Sequence, residues 1–457
     1  MSNKYLYVTL LSLVGLHANG FAQHAEKPPR LVISIHADEL TTDLLETYAP
    51  LYRADGLLKL LNGGLLFSNG SFPFAPVDAA SSAAAIATGA TPYYNSITGT
   101  EWLNRTTLRP QSAIHDAQYG TSPQQLATST LGDELKIATG GTAHVYAFAP
   151  SAECAILLAG HAADGAAWIE DETWQTTTYY SPQDEWLGEY THFFAPSASV
   201  NNSIADGAIS CIERGDIGTD EATDIIYVGL SLQPTLESYV QLDHTIARIV
   251  TAVGRKVPIE RTLFVLTGMG SQRQERKEDR ERFRIPTGKF YINRTANLLN
   301  LYLGAVYGNA QYIEACYRNQ LFVNRQLIER KNIDMADLLR RSQAFILQLS
   351  GVRNVYTANQ LMTSDSHLLA RVRNAFNADR CGDLLIDIQP GWELVNEDAG
   401  TTSLSRVAAL PFPIVFYGAT IAPQRVNTGV TADRIAPTVA RVIRIRAPNA
   451  CMAEPLF

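Results

Sequence analysis

Past a distinct amino-terminal stretch, the chain alternates short β-rich apolar runs with longer segments whose apolar residues recur at helical spacing, the pattern of an α/β protein with a mostly parallel sheet. Residues 31–35 are the first predicted strand, followed by helices over 40–48 and 56–61 and a turn at Asn62-Gly63-Gly64 before a strand near 65–67. Further strands are expected over 144–148, 155–158, 225–231, 262–266 and 414–417, with a long amphipathic helix over 236–253. From residue 272 to about 410 helical periods dominate, as over 298–307 and 333–349, so this stretch is expected to be a helical insertion. The predicted organisation is a core over 31–271, the insertion over 272–410, and a return to the core over 411–450.

The amino terminus reads differently. Lys4, an apolar run over 6–16 and Gly20-Phe21-Ala22 have the layout of a secretory signal peptide over residues 1–22. No later apolar run reaches the roughly 20 residues of a membrane helix, so a soluble, exported mature chain is expected.

Composition narrows the function classes. The 457 residues are 46% apolar and 18% charged with net charge −8, enough chain for a large core and no basic field to hold nucleic acid. The five cysteines show no CxxC or Cys/His spacing of a zinc site, and their odd number leaves at least one thiol unpaired. The mixed-sign charge run over 273–282 reads as a solvated face.

Chemistry in an open α/β sheet gathers at the carboxyl ends of strands. The first strand ends in His36-Ala37-Asp38-Glu39, where period 2 places His36 and Asp38 on one face, a metal pair or an Asp capping the next helix. A second pocket candidate is the Pro-rich turn before a small-residue helix, with Asp78, Ser81 and Ser82 at its start. A Ser81 or Ser82 nucleophile would need a base such as His161, beside which stands Asp164.

Five landmarks in order carry a resemblance over nearly the whole mature chain. They are Leu31-Val32-Ile33-Ser34-Ile35-His36-Ala37-Asp38-Glu39-Leu40, Ala85-Ile86-Ala87-Thr88-Gly89-Ala90-Thr91-Pro92, Leu242-Asp243, Thr262-Leu263-Phe264-Val265-Leu266-Thr267 and Pro413-Ile414-Val415-Phe416-Tyr417-Gly418. The order resembles the alkaline phosphatase superfamily, and within it the type I phosphodiesterase/nucleotide pyrophosphatase-like proteins exported by Bacteroidota. The resemblance implies an alkaline-phosphatase-like fold, two zinc ions on six Asp or His ligands, a Thr or Ser nucleophile, and hydrolysis of phosphate esters.

The same resemblance, carried over position by position, places Asp38 at the first-strand ligand and Ala79 at the nucleophile. Where the family has an Asp-x-x-x-His pair, neither residue follows the strand over 225–231; where it has Asp-His, Met269 and Gly270 stand; and no His lies near 400–403 for the last ligand. The Lys and Arg that some monoesterases use fall near Ala152 and Cys154. The resemblance thus implies an exported, catalytically inactive pseudophosphatase with Asp38 as a vestigial ligand and no expected cofactor, acting as a binding or assembly module. Its partner would be another exported or outer-membrane protein at the periplasm or surface of a Gram-negative cell. The alternative is a phosphomonoester or phosphodiester hydrolase whose remodelled metal site joins Asp38 with His36 or Asp78 and retains zinc.

Overall fold

The computed structural model describes residues 27–180, 185–197, 199–272, 286–405, 409–419 and 421–457. The expected signal peptide and the charge run over 273–282 lie outside the described residues. A ten-stranded sheet forms the centre. Its strands are β1 (Leu31–Ala37), β2 (Leu65–Ser71), β3 (Val145–Ala149), β4 (Gly165–Glu170), β5 (Thr173–Thr176), β6 (Asp224–Leu230), β7 (Thr262–Gly268), β8 (Phe412–Gly418), β9 (Gln424–Val426) and β10 (Val430–Thr431).

The order across the sheet is β9-β2-β8-β7-β1-β6-β3-β4-β5, with β10 also pairing β2. Strands β7, β1, β6, β3 and β4 run parallel, while β8 and β5 are antiparallel to their neighbours β7 and β4. Buried on both faces, β1, β6 and β7 read as near-continuous apolar runs, the reason they were visible in the sequence.

Alternate residues of β1 serve two separate cores. Val32 packs with α1 (Ala79–Thr88), α3 (Ala152–Ala159) and α6 (Ile435–Ile443). Leu31, Ile33 and Ile35 pack with α4 (Val200–Arg214) and α5 (Leu236–Lys256) on the other face. Between α1 and α3 in the chain lies α2 (Leu131–Ala138). Helix α1 is built almost wholly of small residues, buried beyond its first position, which lets it lie close against α3. It ends at Gly89, whose φ of +62° is left-handed and whose added Cβ would stand 2.7 Å from Cys451 Sγ.

Two expectations are corrected. The run over 155–158 is not a strand but the middle of α3, opened by Ser151, whose side chain accepts from Cys154 N–H. A short apolar run has no period to separate a buried strand from a buried helix, and the cap decided it. The insertion is not purely helical either: it holds a four-stranded sheet of Ile313–Tyr317, Gln320–Val323, Leu384–Ile388 and Val352–Thr357, and a three-stranded one of Gly288–Tyr291, Trp392–Asn396 and Thr401–Leu404. Helices Ile292–Tyr307 and Met335–Ile346 complete a hydrophobic core of the insertion's own.

Candidate functional site

The carboxyl ends of β1, β6 and β7 lie level, with Ala37 opposite Leu230 on one side and Gly268 on the other. Asp38 leaves the sheet here, its N–H donating to Leu230 O at 2.9 Å, and Met269 N–H donates to Ala37 O at 3.1 Å. Burial, then the negative charge of Glu39, pushes the Asp38 carboxyl from 3.8 up to about 6, with no hydrogen bond offsetting either. Asp38 is not the cap of the following helix, because Thr41 takes that position and its hydroxyl receives Leu44 N–H.

His36, the sixth residue of β1, turns into the core. Its Nε2 lies 2.9 Å from Ser34 Oγ and its ring stacks at 6.0 Å on Tyr227. It is fully buried, burial lowers its pKa from 6.5 to about 3, and Nδ1 has no hydrogen-bond partner. The imidazole is therefore neutral at ordinary pH.

At the start of α1 the carboxylate of Asp78 is occupied several times over. Its Oδ1 accepts Ser81 N–H at 3.0 Å and the Ser81 hydroxyl at 2.8 Å, and its Oδ2 accepts Thr100 N–H at 2.8 Å. Arg318, reaching over from the insertion, stands 3.8 Å away. Ser81 returns the bond by accepting Asp78 N–H, a reciprocal capping box. Ser82 donates to Ala79 O at 3.1 Å. Ala79 opens the helix half-buried, with only a methyl group to present.

Sulfur fills the floor between these elements. Cys154 Sγ and Met269 Sδ lie 4.0 Å apart, each residue 3% exposed. Cys154 packs over Gly229, whose added Cβ would stand 3.1 Å from Sγ. Burial raises the Cys154 thiol well above its usual pKa, followed by the charges of Asp38 and Glu153.

Other landmark acids serve the backbone. Asp243 accepts Leu57 N–H at 2.7 Å and Arg53 N–H at 2.9 Å, fixing the loop that enters the helix Leu57–Gly63. His161 stands apart from Ser81 and Ser82 in its contacts: Nδ1 meets Asp133 Oδ2 at 2.9 Å and Nε2 meets Leu126 O at 3.1 Å. With both nitrogens engaged and both serines bonded within α1, no serine–histidine pair forms among these bonds. Among the described residues no group of three or more His, Cys, Asp or Glu is arranged to hold a metal ion. The donors present do not fit a dinuclear zinc centre, which needs several anionic or imidazole ligands around each ion.

The sequence model of the family described as "Type I phosphodiesterase / nucleotide pyrophosphatase" matches residues 32–409. The chain belongs to that family. Within the wider alkaline phosphatase superfamily, it is 22% identical to alkaline phosphatase PafA of Elizabethkingia meningoseptica over 94% of both chains. It is 23% identical to a protein of Myroides odoratus named a calcium-transporting ATPase, again over 94% of each. The crystal structure of wild-type PafA superposes with a TM-score of 0.79 at 20% identity, covering 94% of this chain and 98% of that one. Murine ectonucleotide pyrophosphatase/phosphodiesterase 5 superposes with a TM-score of 0.56 at 11% identity over 92% and 96% of the two chains. In this type I phosphodiesterase family member, Arg318 at the start of α1 and the Cys154–Met269 contact escaped sequence reasoning. Arg318 lies 218 residues from its partner Thr100, and no local pattern joins such positions.

Proposed function

We propose that this family member is an exported, catalytically inactive pseudophosphatase that serves as a binding or assembly module at the periplasm or cell surface of a Gram-negative bacterium. Its partner in this reading is another exported or outer-membrane protein, and no zinc is needed. The observation that carries the reading is the chemistry of the strand ends. Carried over from the family resemblance, Met269, Gly270 and Ala79 fall at positions where a metallophosphatase would need ligands and a nucleophile, and Asp78 is committed to capping α1.

An alanine has no oxygen to form a phosphoryl-enzyme, and one carboxylate cannot hold two divalent ions. The relatives named as phosphatases argue for hydrolysis only where those groups are kept. The alternative of a remodelled zinc site needs His36 or Asp78 to join Asp38, whereas His36 is engaged with Ser34 and Tyr227 and Asp78 with three donors. The direct test is turnover of an aryl phosphate monoester and a diester with added zinc. The expected result is no zinc-dependent rate; a zinc-stimulated rate abolished by Asp38→Asn would establish the hydrolase instead.

A further inference from the structure

We propose that His161 is a proton-operated clasp: as an imidazolium it ties the segment around Leu126 to α2, and as a neutral ring it releases that segment and loosens the core's hold on Arg380 of the insertion. The inference rests on hydrogen-bond geometry and is independent of the pseudophosphatase reading.

Both ring nitrogens face groups that only accept. Nδ1 lies 2.9 Å from Asp133 Oδ2, and Nε2 lies 3.1 Å from the Leu126 carbonyl oxygen. Three backbone donors also hold Asp133 as an acceptor, Thr130 N–H on Oδ2 and the N–H groups of His161 and Ala162 on Oδ1, each at 2.8 Å. A neutral imidazole carries a single N–H, so it satisfies one of its two acceptors and turns a lone pair on the other, whereas the imidazolium satisfies both. The carboxylate makes the stronger, charge-assisted bond and keeps the Nδ1 proton. Deprotonation therefore takes the proton from Nε2 and sets its lone pair against Leu126 O. The ring is 33% exposed, which gives that proton a way to solvent. Burial lowers the His161 pKa, but the Asp133 hydrogen bond and charge more than offset it, so the clasp is closed below 6.5 and opens as pH rises through the raised value.

The other charges around the ring are engaged elsewhere. Lys136 pairs with Asp164 at 2.6 Å, and Glu134 receives Arg446 at 2.8 Å. The Tyr180 hydroxyl donates to Gly160 O at 2.6 Å, and burial raises the phenols of Tyr179 and Tyr180 above their usual 10, so both stay neutral through the window. On the loop itself, Asp116 receives the Ser122 hydroxyl and the N–H groups of Gln118 and Tyr119, and exposed His115 offers its carbonyl to Gln125 Nε2. Leu126 carries the effect to the insertion. It follows the turn Pro123–Gln125, and the carbonyl next to its own, Gln125 O, receives Arg380 Nη2 at 2.7 Å.

The test is hydrogen–deuterium exchange of the purified protein across about pH 6 to 9, with rates corrected for the intrinsic effect of pH, beside an NMR titration of the His161 imidazole. Protection over 122–128 and over the Arg380 turn, 376–382, is expected to fall together by about tenfold or more, at the midpoint of the imidazole titration. His161→Gln, which has no titrating ring, is expected to show no such step, and His115→Gln to keep it. A flat profile in the wild type, a step kept in His161→Gln or lost in His115→Gln, or an opening at 122–128 that leaves 376–382 unchanged overturns the proposal. Zinc-dependent turnover would sink the pseudophosphatase reading without touching this one.

Discussion

Burial beside Glu39 lifts the Asp38 carboxyl from 3.8 to about 6, so the folded protein holds this proton more tightly than the unfolded chain does. Between those values the native state binds more protons, and stability from this group falls as pH rises through the window. Asp38→Asn is therefore expected to stabilise the metal-free protein at pH 8, by on the order of 1–3 kcal/mol, and to do little near pH 4. Urea denaturation at the two pH values checks it; an equal loss of stability at both would show that the carboxylate is satisfied.

Two histidines pull in opposite directions. For His161, burial opposes the charge, but the Asp133 hydrogen bond and charge outweigh it and raise the pKa, with Leu126 O adding to the effect. Its contribution is complete below its ordinary pKa of 6.5 and is lost as pH rises through the raised value. For His36, burial lowers the pKa to about 3, so stability falls as pH drops below 6.5 and the unfolded chain takes up the proton. Exchanging His161 for Gln should flatten the fall in stability as pH rises above 6.5 and leave the separate His36 contribution below 6.5 in place. NMR titration of the two imidazoles in the folded protein reads the same assignment directly.

At the scale of elements, α1 decides how the site is built. Its all-but-apolar sequence gives little guidance about direction, and the Asp78–Ser81 box with Thr100 N–H fixes its first turn. Asp78→Ala removes a cap and strands Thr100 N–H, and a loss of roughly 1–3 kcal/mol is expected from thermal or urea denaturation. Asp78→Asn, which keeps one acceptor oxygen for the cap and loses the other, should recover part of it. What was legible at this scale follows from periodicity: β1, β6, β7 and α5 stand where apolar runs and helical spacing put them. What was not legible follows from its absence: the run over 155–158 had no period of its own, and the strands of the insertion are short. The cap before the helix Thr42–Thr47 went to Thr41 over Asp38 for a local reason, since Thr41 directly precedes that helix.

At the scale of the molecule, the insertion is held to the core by charge that is largely buried. Asp383, 2% exposed, receives Arg105 from the turn between the paired strands Glu101–Asn104 and Arg109–Ser112 and Arg325 from the insertion, along with Val323 N–H. Arg380 lies 4.1 Å over the Trp102 ring and donates to Ser96 O and Gln125 O. Removing Asp383 leaves the mostly buried Arg105 without its counter-ion, so Asp383→Ala is expected to cost about 3–5 kcal/mol. Limited proteolysis would then show the insertion released before the central sheet unfolds; unchanged protection would mean that the apolar contacts alone hold it. None of these pairings was visible in the sequence, because each joins residues far apart in the chain. The family landmarks were visible, being clustered at strand ends, and they placed the fold that the PafA structure shares.

That fold with few ligands at its strand ends is the centre of the account, and zinc binding tests it most directly. The purified protein, equilibrated with zinc and freed of excess, is analysed for bound metal beside its Asp38→Asn variant. The account predicts no stoichiometric zinc in either protein. Two equivalents of zinc per chain, lost on exchanging Asp38, would contradict it and require ligands that the described residues do not bring together.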